Sequence, residues 1–182
     1  MLFKGATINL RKMSQQDKVD YQRWNNDMEL APMVNPFIDL QSAEEIDEYF
    51  QNIHDKSRKN YIIEHIVDEK AIGYLGLFNI NHYHKNTECY IAVCEKSYHG
   101  QGVGYEAMQL LMEYVFREMN MHRLALRVFA ENERAIRLYE KLGFKKEGYF
   151  RDTRFHNGGW QSSYIMAILQ HEYQSDRTSS KN

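Results

Sequence analysis

The sequence predicts an α/β (α+β) protein: a mixed central sheet of about seven strands with four helices, in the order β-α-α-β-β-β-α-β-α-β-β. Three observations predict it. Short segments alternate apolar and polar residues, as in Ile8 and Leu10 among Thr7, Asn9 and Arg11. Segments with apolar residues at helical spacing are interspersed among them. The run Tyr98-His99-Gly100-Gln101-Gly102-Val103-Gly104-Tyr105 joins a strand to a helix through alternate glycines.

In order, Ala6 to Lys12 reads as the first strand. Ser14, with Asp17 at the capping-box position, opens a helix to about Trp24, and Asn25-Asn26-Asp27 ends it. Leu30 to Leu40 holds both prolines, Pro32 and Pro36, and reads as an irregular loop. Ser42-Ala43-Glu44-Glu45 is a capping box for a helix that buries Ile46, Tyr49, Phe50 and Ile53. The acidic residues of that helix, Glu44, Glu45, Asp47 and Glu48, form either a solvated face or an attraction for a cationic substrate. Tyr61 to Val67 and Ala71 to Ile80 read as strands joined by Asp68-Glu69-Lys70. His82 and His84 lie in a polar loop with no further clear metal ligand, so the expectation is that no metal is held.

Thr87 to Cys94 is the strand that feeds the glycine loop. Glu106 to Met119 is the helix after it, with Ala107, Leu110, Leu111, Tyr114 and Val115 as its apolar stripe. His122 to Phe129 alternates as a strand. Asn132 caps a helix from Glu133 to Lys141, and Gly143 suits its C-terminal cap. Phe144 to Phe155 and Trp160 to Leu169 read as a hairpin around His156-Asn157-Gly158-Gly159. Residues 1–173 are expected to form one domain and 174–182 a polar tail.

Composition limits the function. Net charge is -2, with 43% hydrophobic and 26% charged residues. A general nucleic-acid binder should be basic, so no nucleic-acid partner is expected. No run approaches the ~18 apolar residues of a membrane span. The polar start, Met1-Leu2-Phe3-Lys4-Gly5, does not read as a signal peptide, so a cytoplasmic location is expected. Cys89 and Cys94 lie on one strand, roughly 16 Å apart at ~3.3 Å per residue, and read as buried small hydrophobes rather than a disulfide.

The glycine run carries the first chemistry. The leading amides of a helix have no intrahelical acceptor and form the positive end of its dipole. Glycines let a phosphate approach them closely. A Walker loop needs Gly-Lys-Ser/Thr where this turn has Val103-Gly104-Tyr105, and a dinucleotide fingerprint needs a small residue at Tyr105. The loop is therefore expected to hold a phosphate by main-chain amides alone.

The second motif is Asn132-x-x-Ala135-x-x-x-Tyr139-x-x-x-Gly143-Phe144. Alone it is a small amphipathic helix with Ala135, Leu138 and Leu142 inward. Together with the loop upstream it resembles the GNAT superfamily of N-acetyltransferases over about Ala6 to Tyr173. His99 stands where that family carries Gln or Arg. Within it, the stretch from Ile80-Asn81-His82-Tyr83-His84 through Gln170-His171-Glu172-Tyr173 looks most like spermidine N-acetyltransferases, with the ribosomal-protein N-terminal acetyltransferases next. Val34 and Asn35 stand where the polyamine enzymes carry an acidic pair, and Ser162 where the ribosomal branch often has Asp.

The resemblance implies the GNAT fold and transfer of acetyl from acetyl-CoA to a primary amine. The acceptor is a polyamine such as spermidine, or alternatively a protein N-terminus. A non-catalytic acyl-CoA sensor is the reading from another class, and a homo-oligomer is possible. It assigns the acetyl-CoA site to Ala92, Val93, Cys94, His99, Gly100, Gln101, Gly102, Val103, Gly104, Tyr105, Asn132, Ala135 and Tyr139. It makes Tyr139 the general acid and Glu88 the base, with main-chain amides around Ala92-Val93-Cys94 facing the carbonyl oxygen. The acceptor pocket is expected from Met28 to Asp39, the Ser42 helix and the Phe155 to Trp160 hairpin.

Overall fold

A computed structural model describes residues 3–34, 38–53 and 57–173. The expected tail at 174–182, and Asn35 of the pair noted above, lie outside the described residues. One seven-stranded sheet runs through the structure in the order β1-β2-β3-β4-β5-β7-β6. Its strands are β1 (Ile8–Lys12), β2 (Lys59–His65), β3 (Lys70–Asn81), β4 (Asn86–Val93), β5 (Arg123–Phe129), β6 (Lys145–His156) and β7 (Gly159–Leu169). All neighbours are antiparallel except β4 and β5.

The helices are α1 (Lys18–Asn25), α2 (Ala31–Val34), α3 (Ala43–Gln51), α4 (Val103–Glu113) and α5 (Glu133–Lys141). Four of them are the expected ones; α2 is a single turn inside the stretch read as irregular. Pro32 fits there because the first turn of a helix needs no N–H from it. The helix expected at Ser14 begins with a 3-10 turn, Gln15–Asp17. Asp17 is buried and pairs with Arg11 of β1 at 2.6 Å, while its carboxylate also accepts the Ser14 N–H at 2.8 Å. The helix after the glycine loop passes at Tyr114 into a π-helical stretch, Tyr114–Glu118, where the Met119 N–H reaches back to the Tyr114 carbonyl.

Strand alternation sorts the sheet's two faces. Cys89 packs with Leu124, Leu126, Val128 and the apolar stripe of α4 in one buried cluster, and Ile91 and Val93 pack against it. Tyr90, Ala92 and Cys94 face the other way, toward Tyr21 and Trp24 of α1 and Phe50 of α3. That second cluster is aromatic: Tyr21 stacks on Tyr49 at 4.9 Å and meets Phe50 edge-on at 5.4 Å. Both cysteines are free and buried. At the hairpin tip, Asn157 and Gly158 have φ of 51° and 79°, the left-handed pair a two-residue turn requires.

Two side chains tie the layers together. Glu106, in the first turn of α4, accepts hydrogen bonds from the main-chain N–H groups of Ala6 and Thr7 and from the Thr7 hydroxyl. Glu95, just past β4, receives Arg23 at 2.6 Å, Trp24 Nε1 at 2.9 Å and Lys70 at 2.9 Å. Burial pushes the Glu95 carboxyl upward, but the hydrogen bonds from Trp24, Lys70 and Arg23 outweigh it and hold the group at about 2.

A folded-state value below the ordinary one means that Glu95 stabilises the fold above the usual carboxylate range and loses that contribution as pH falls toward about 2. Acid unfolding followed by circular dichroism should therefore show a Glu95→Gln variant less stable than wild type at neutral pH. The gap should narrow between about pH 4.5 and about 2.

Candidate active site

The site begins where two strands part. β4 and β5 pair only at Asn86 with Arg123, Thr87 with Leu124 and Glu88 with Ala125. Beyond Glu88, β4 runs on to Val93 and β5 to Phe129 without pairing, and a groove of about 820 Å³ occupies the opening. β4 keeps its course because β3 holds it. A Cβ on Gly73 would sit 2.1 Å from the Ala92 carbonyl oxygen, and one on Gly76 would strike the Tyr90 hydroxyl at 2.5 Å. Two glycines thus permit the close approach that keeps β4 on β3 while β5 leaves.

Strand geometry then decides which main-chain groups face the opening. The Cys94 N–H donates to the Ile72 carbonyl of β3 at 2.8 Å. Peptide groups alternate sides along a strand, so those of Val93 and Ile91 point away from β3, toward the gap. The Val93 carbonyl meets His99 Nε2 at 2.8 Å, which makes this nitrogen the donor. Of the three positions expected to supply an amide, the Cys94 N–H is therefore committed to the sheet and Val93 is the one presented. Cys94 lies in the aromatic cluster, where burial raises its thiol.

The glycine loop forms the next wall. Gly100 and Gly102 have φ of 79° and 83°, and a Cβ at either would meet nothing within 4 Å. Their requirement is torsional: the chain enters the left-handed region that side chains disfavour. Gly102 caps α4 without a side chain, and the first helical bond runs from the Glu106 N–H to the Gly102 carbonyl at 3.0 Å. The amides of Val103, Gly104 and Tyr105 precede that bond and point out of the helix start. His99, Gly100, Gly102, Val103, Gly104 and Tyr105 line the groove. Gln101 does not; its side chain folds back on the Ser97 carbonyl at 2.7 Å. Bare amides at the start of an 11-residue helix, with open space at two glycines, suit the diphosphate of a CoA thioester.

α5 supplies the opposite wall. Asn132 Oδ1 caps it by accepting the Ala135 N–H at 3.1 Å. The helix buries Ile136 and Tyr139, whereas Ala135 and Leu138 are half-buried and line the groove. Leu142 is buried as the sequence reading has it and Ala135 and Leu138 pack at the core's edge, while Ile136 and Tyr139 are the deeper positions of the helix. Tyr139 is 7% exposed and lines the groove. Burial, with Cys89 alongside, holds its phenol well above the ordinary range, so it stays protonated.

Glu88 also lines the groove, on the sheet face opposite Cys89. A register shift in β3 after Phe78, with Asn79 at φ 50°, turns Asn79 toward it, and Asn79 Nδ2 donates to Glu88 Oε1 at 2.9 Å. On the same face lie residues that reading the sequence missed: Arg127 and Phe129 of β5 and Phe150 and Arg154 of β6. No local pattern marks them, since long-range pairing brings them together. The groove reaches Leu30 of the expected acceptor segment. It stops short of the hairpin tip, where Phe155 and Trp160 are 59% and 64% exposed.

Comparison with known proteins gives the architecture a family. The spermidine N(1)-acetyltransferase of Escherichia coli K12 is 38% identical over 127 residues, 70% of this chain and 67% of that protein. The spermidine N-acetyltransferase of Vibrio cholerae, solved in complex with CoA and spermine, superposes with a TM-score of 0.84 at 28% identity, covering 93% of this chain and 99% of that one. A dodecameric structure of the Vibrio cholerae enzyme superposes at 0.81 and 29% identity, covering 96% and 99%. The family model described as an acetyltransferase (GNAT) domain matches residues 7–145, spanning the parted strands, the glycine loop and α5, and the chain belongs to that family of acetyltransferases.

Proposed function

We propose that this acetyltransferase moves the acetyl group of acetyl-CoA to a primary amine of a polyamine such as spermidine. One observation carries the reading: the parted strands join a bare helix start and a buried phenol on one face to a carboxylate on the other, in one groove. The relatives that act on spermidine support the acceptor class. Homo-oligomeric assembly belongs to the same reading and rests on the dodecameric relative.

The chemistry sets the residues' tasks. An alkylammonium near pKa ~10.4 is about one part in 10³ neutral at pH 7, and only the neutral amine attacks. Recovering that fraction is a problem of roughly 4–5 kcal/mol, at 1.36 kcal/mol per pKa unit. Glu88 takes this proton, directly or through one water, with Asn79 steadying one carboxylate oxygen. Acetyl-CoA supplies the activated thioester. The amides of Val103, Gly104 and Tyr105 hold its diphosphate, and Ala135 and Leu138 flank its arm. As the N–C bond forms, the acetyl oxygen gains negative charge, and the Val93 N–H donates to it. One such donor is worth about 3–4 kcal/mol. As the C–S bond breaks, Tyr139 gives its proton to the leaving sulfur, and the second proton shed by the acylated nitrogen restores the phenol by way of solvent. Burial keeps the phenol in its protonated, donating form until that step.

A thiol-release assay with acetyl-CoA and a panel of amines tests the reaction. Turnover with spermidine is expected, and turnover with peptides alone would overturn the acceptor. Tyr139→Phe should lower turnover about 10²-fold with little change in KM for acetyl-CoA. Glu88→Gln should move the rate optimum to higher pH, where more of the amine is already neutral. Gly102→Ala should raise KM for acetyl-CoA about tenfold, because the left-handed cost of roughly 1–2 kcal/mol falls on the phosphate seat. Gly104→Ala, whose Cβ would make only ordinary contacts at 3.6 and 3.8 Å, should keep the wild-type melting temperature.

A further inference from the structure

The groove is lined by charged side chains on both faces, with Arg134 on the α5 side. On the face that holds Glu88, the described lining residues carry one carboxylate and two guanidiniums, Arg127 and Arg154. Glu88 is the seat proposed for the reacting amine, and the arginines line the same groove.

Arg154 is the more fixed of the two. It is 8% exposed, although it is an arginine lining an open groove. Its Nη1 donates to the Pro32 carbonyl of α2 at 2.8 Å, and its guanidinium lies 4.1 Å from the centre of the Phe129 ring. A planar cation on an aromatic face recovers part of its lost hydration while keeping its full charge. Arg127 is similarly placed over Phe150, at 5.4 Å. Arg127 is exposed and Arg154 is buried, and both line the groove that an incoming ligand enters.

The consequence follows from the charges of amines. The reacting ammonium loses its proton at Glu88 and ceases to be repelled. A second ammonium inside the groove keeps its proton and meets the Arg154 guanidinium, on which the Glu131 carboxylate also acts. At an effective dielectric of ~20, like charges ~6 Å apart weaken binding by about 100-fold. We propose that Arg154 is a charge-selective residue of the acceptor site: it ranks acceptors by how few positive charges they bring into the groove, so that a polyamine enters by one end with its remaining ammoniums directed to solvent. This rests on the amine-acceptor reading above and deepens it.

The experiment compares kcat/KM for n-butylamine, putrescine, spermidine and spermine in wild type, Arg154→Gln and Arg154→Lys, with acetyl-CoA saturating. The ratio of spermidine to n-butylamine should rise about tenfold or more in Arg154→Gln. Arg154→Lys keeps the charge and should keep the wild-type ranking, even though it loses the planar contact with Phe129. Melting temperatures and KM for acetyl-CoA accompany each variant. A uniform fall for all four amines in Arg154→Gln, with the ranking unmoved, would make Arg154 a strut for α2 and overturn the proposal. If wild type refuses every amine, the polyamine reading fails separately. The same ratio is then read on peptides whose second residue is Lys or Gln, where Arg154→Gln should favour the Lys peptide.

Discussion

The structure depends on the loss of hydrogen bonding between β4 and β5 after Glu88. Parallel strands normally share a continuous ladder, and ending one inside a sheet leaves peptide groups that must find other partners. Here His99 takes the Val93 carbonyl. The glycine loop starts within a few residues of the β4 terminus, so α4 begins beside the opening. α5 lies on the same side, and β6 approaches from the other. Without the parting, the bare helix start and Glu88 would be on opposite sides of a closed sheet.

Much of this was legible because it is written locally. Alternation marked every strand to within a few residues, and the spacing from Asn132 to Phe144 marked α5, its cap and its terminating glycine. What could not be read depends on pairing across the sheet. The bulge that turns Asn79 to Glu88 is a register event between β3 and β4. Arg154 enters the site because β6 is the strand beyond β7 and because Phe129 offers it a ring, facts separated by many residues in the chain. On α5 the reading of Ala135, Leu138 and Leu142 as inward holds for Leu142, while the deepest positions of the helix are Ile136 and Tyr139. Ala135 and Leu138 pack against the edge of the core and line the groove as well, and periodicity does not distinguish the two roles.

The two sheet faces are built from different materials, and each suits its side of the groove. On the α4 face the packing is aliphatic, with Leu110, Leu111, Val115 and Met108 buried against Leu124 and Leu126. Such packing gives a stiff seat for a helix start that must present amides accurately. The other face is built of stacked tyrosines and a tryptophan, fastened by the charges that converge on Glu95. Aromatic rings supply buried area together with faces on which cations can rest. Arg154 uses this property within the groove, and Arg23 does so over Trp24 at 5.6 Å, outside it.

Glu106 sits in the first turn of the helix that would receive a doubly charged diphosphate, where a bare carboxylate would repel the ligand. Its oxygens are instead absorbed by the backbone of Ala6 and Thr7 and by the threonine hydroxyl. Ala6 and Thr7 therefore solvate that carboxylate by hydrogen bonds alone. Trimming them would uncover an anion beside an anion seat, and the hold on the acetyl donor would weaken although no residue touching it had changed.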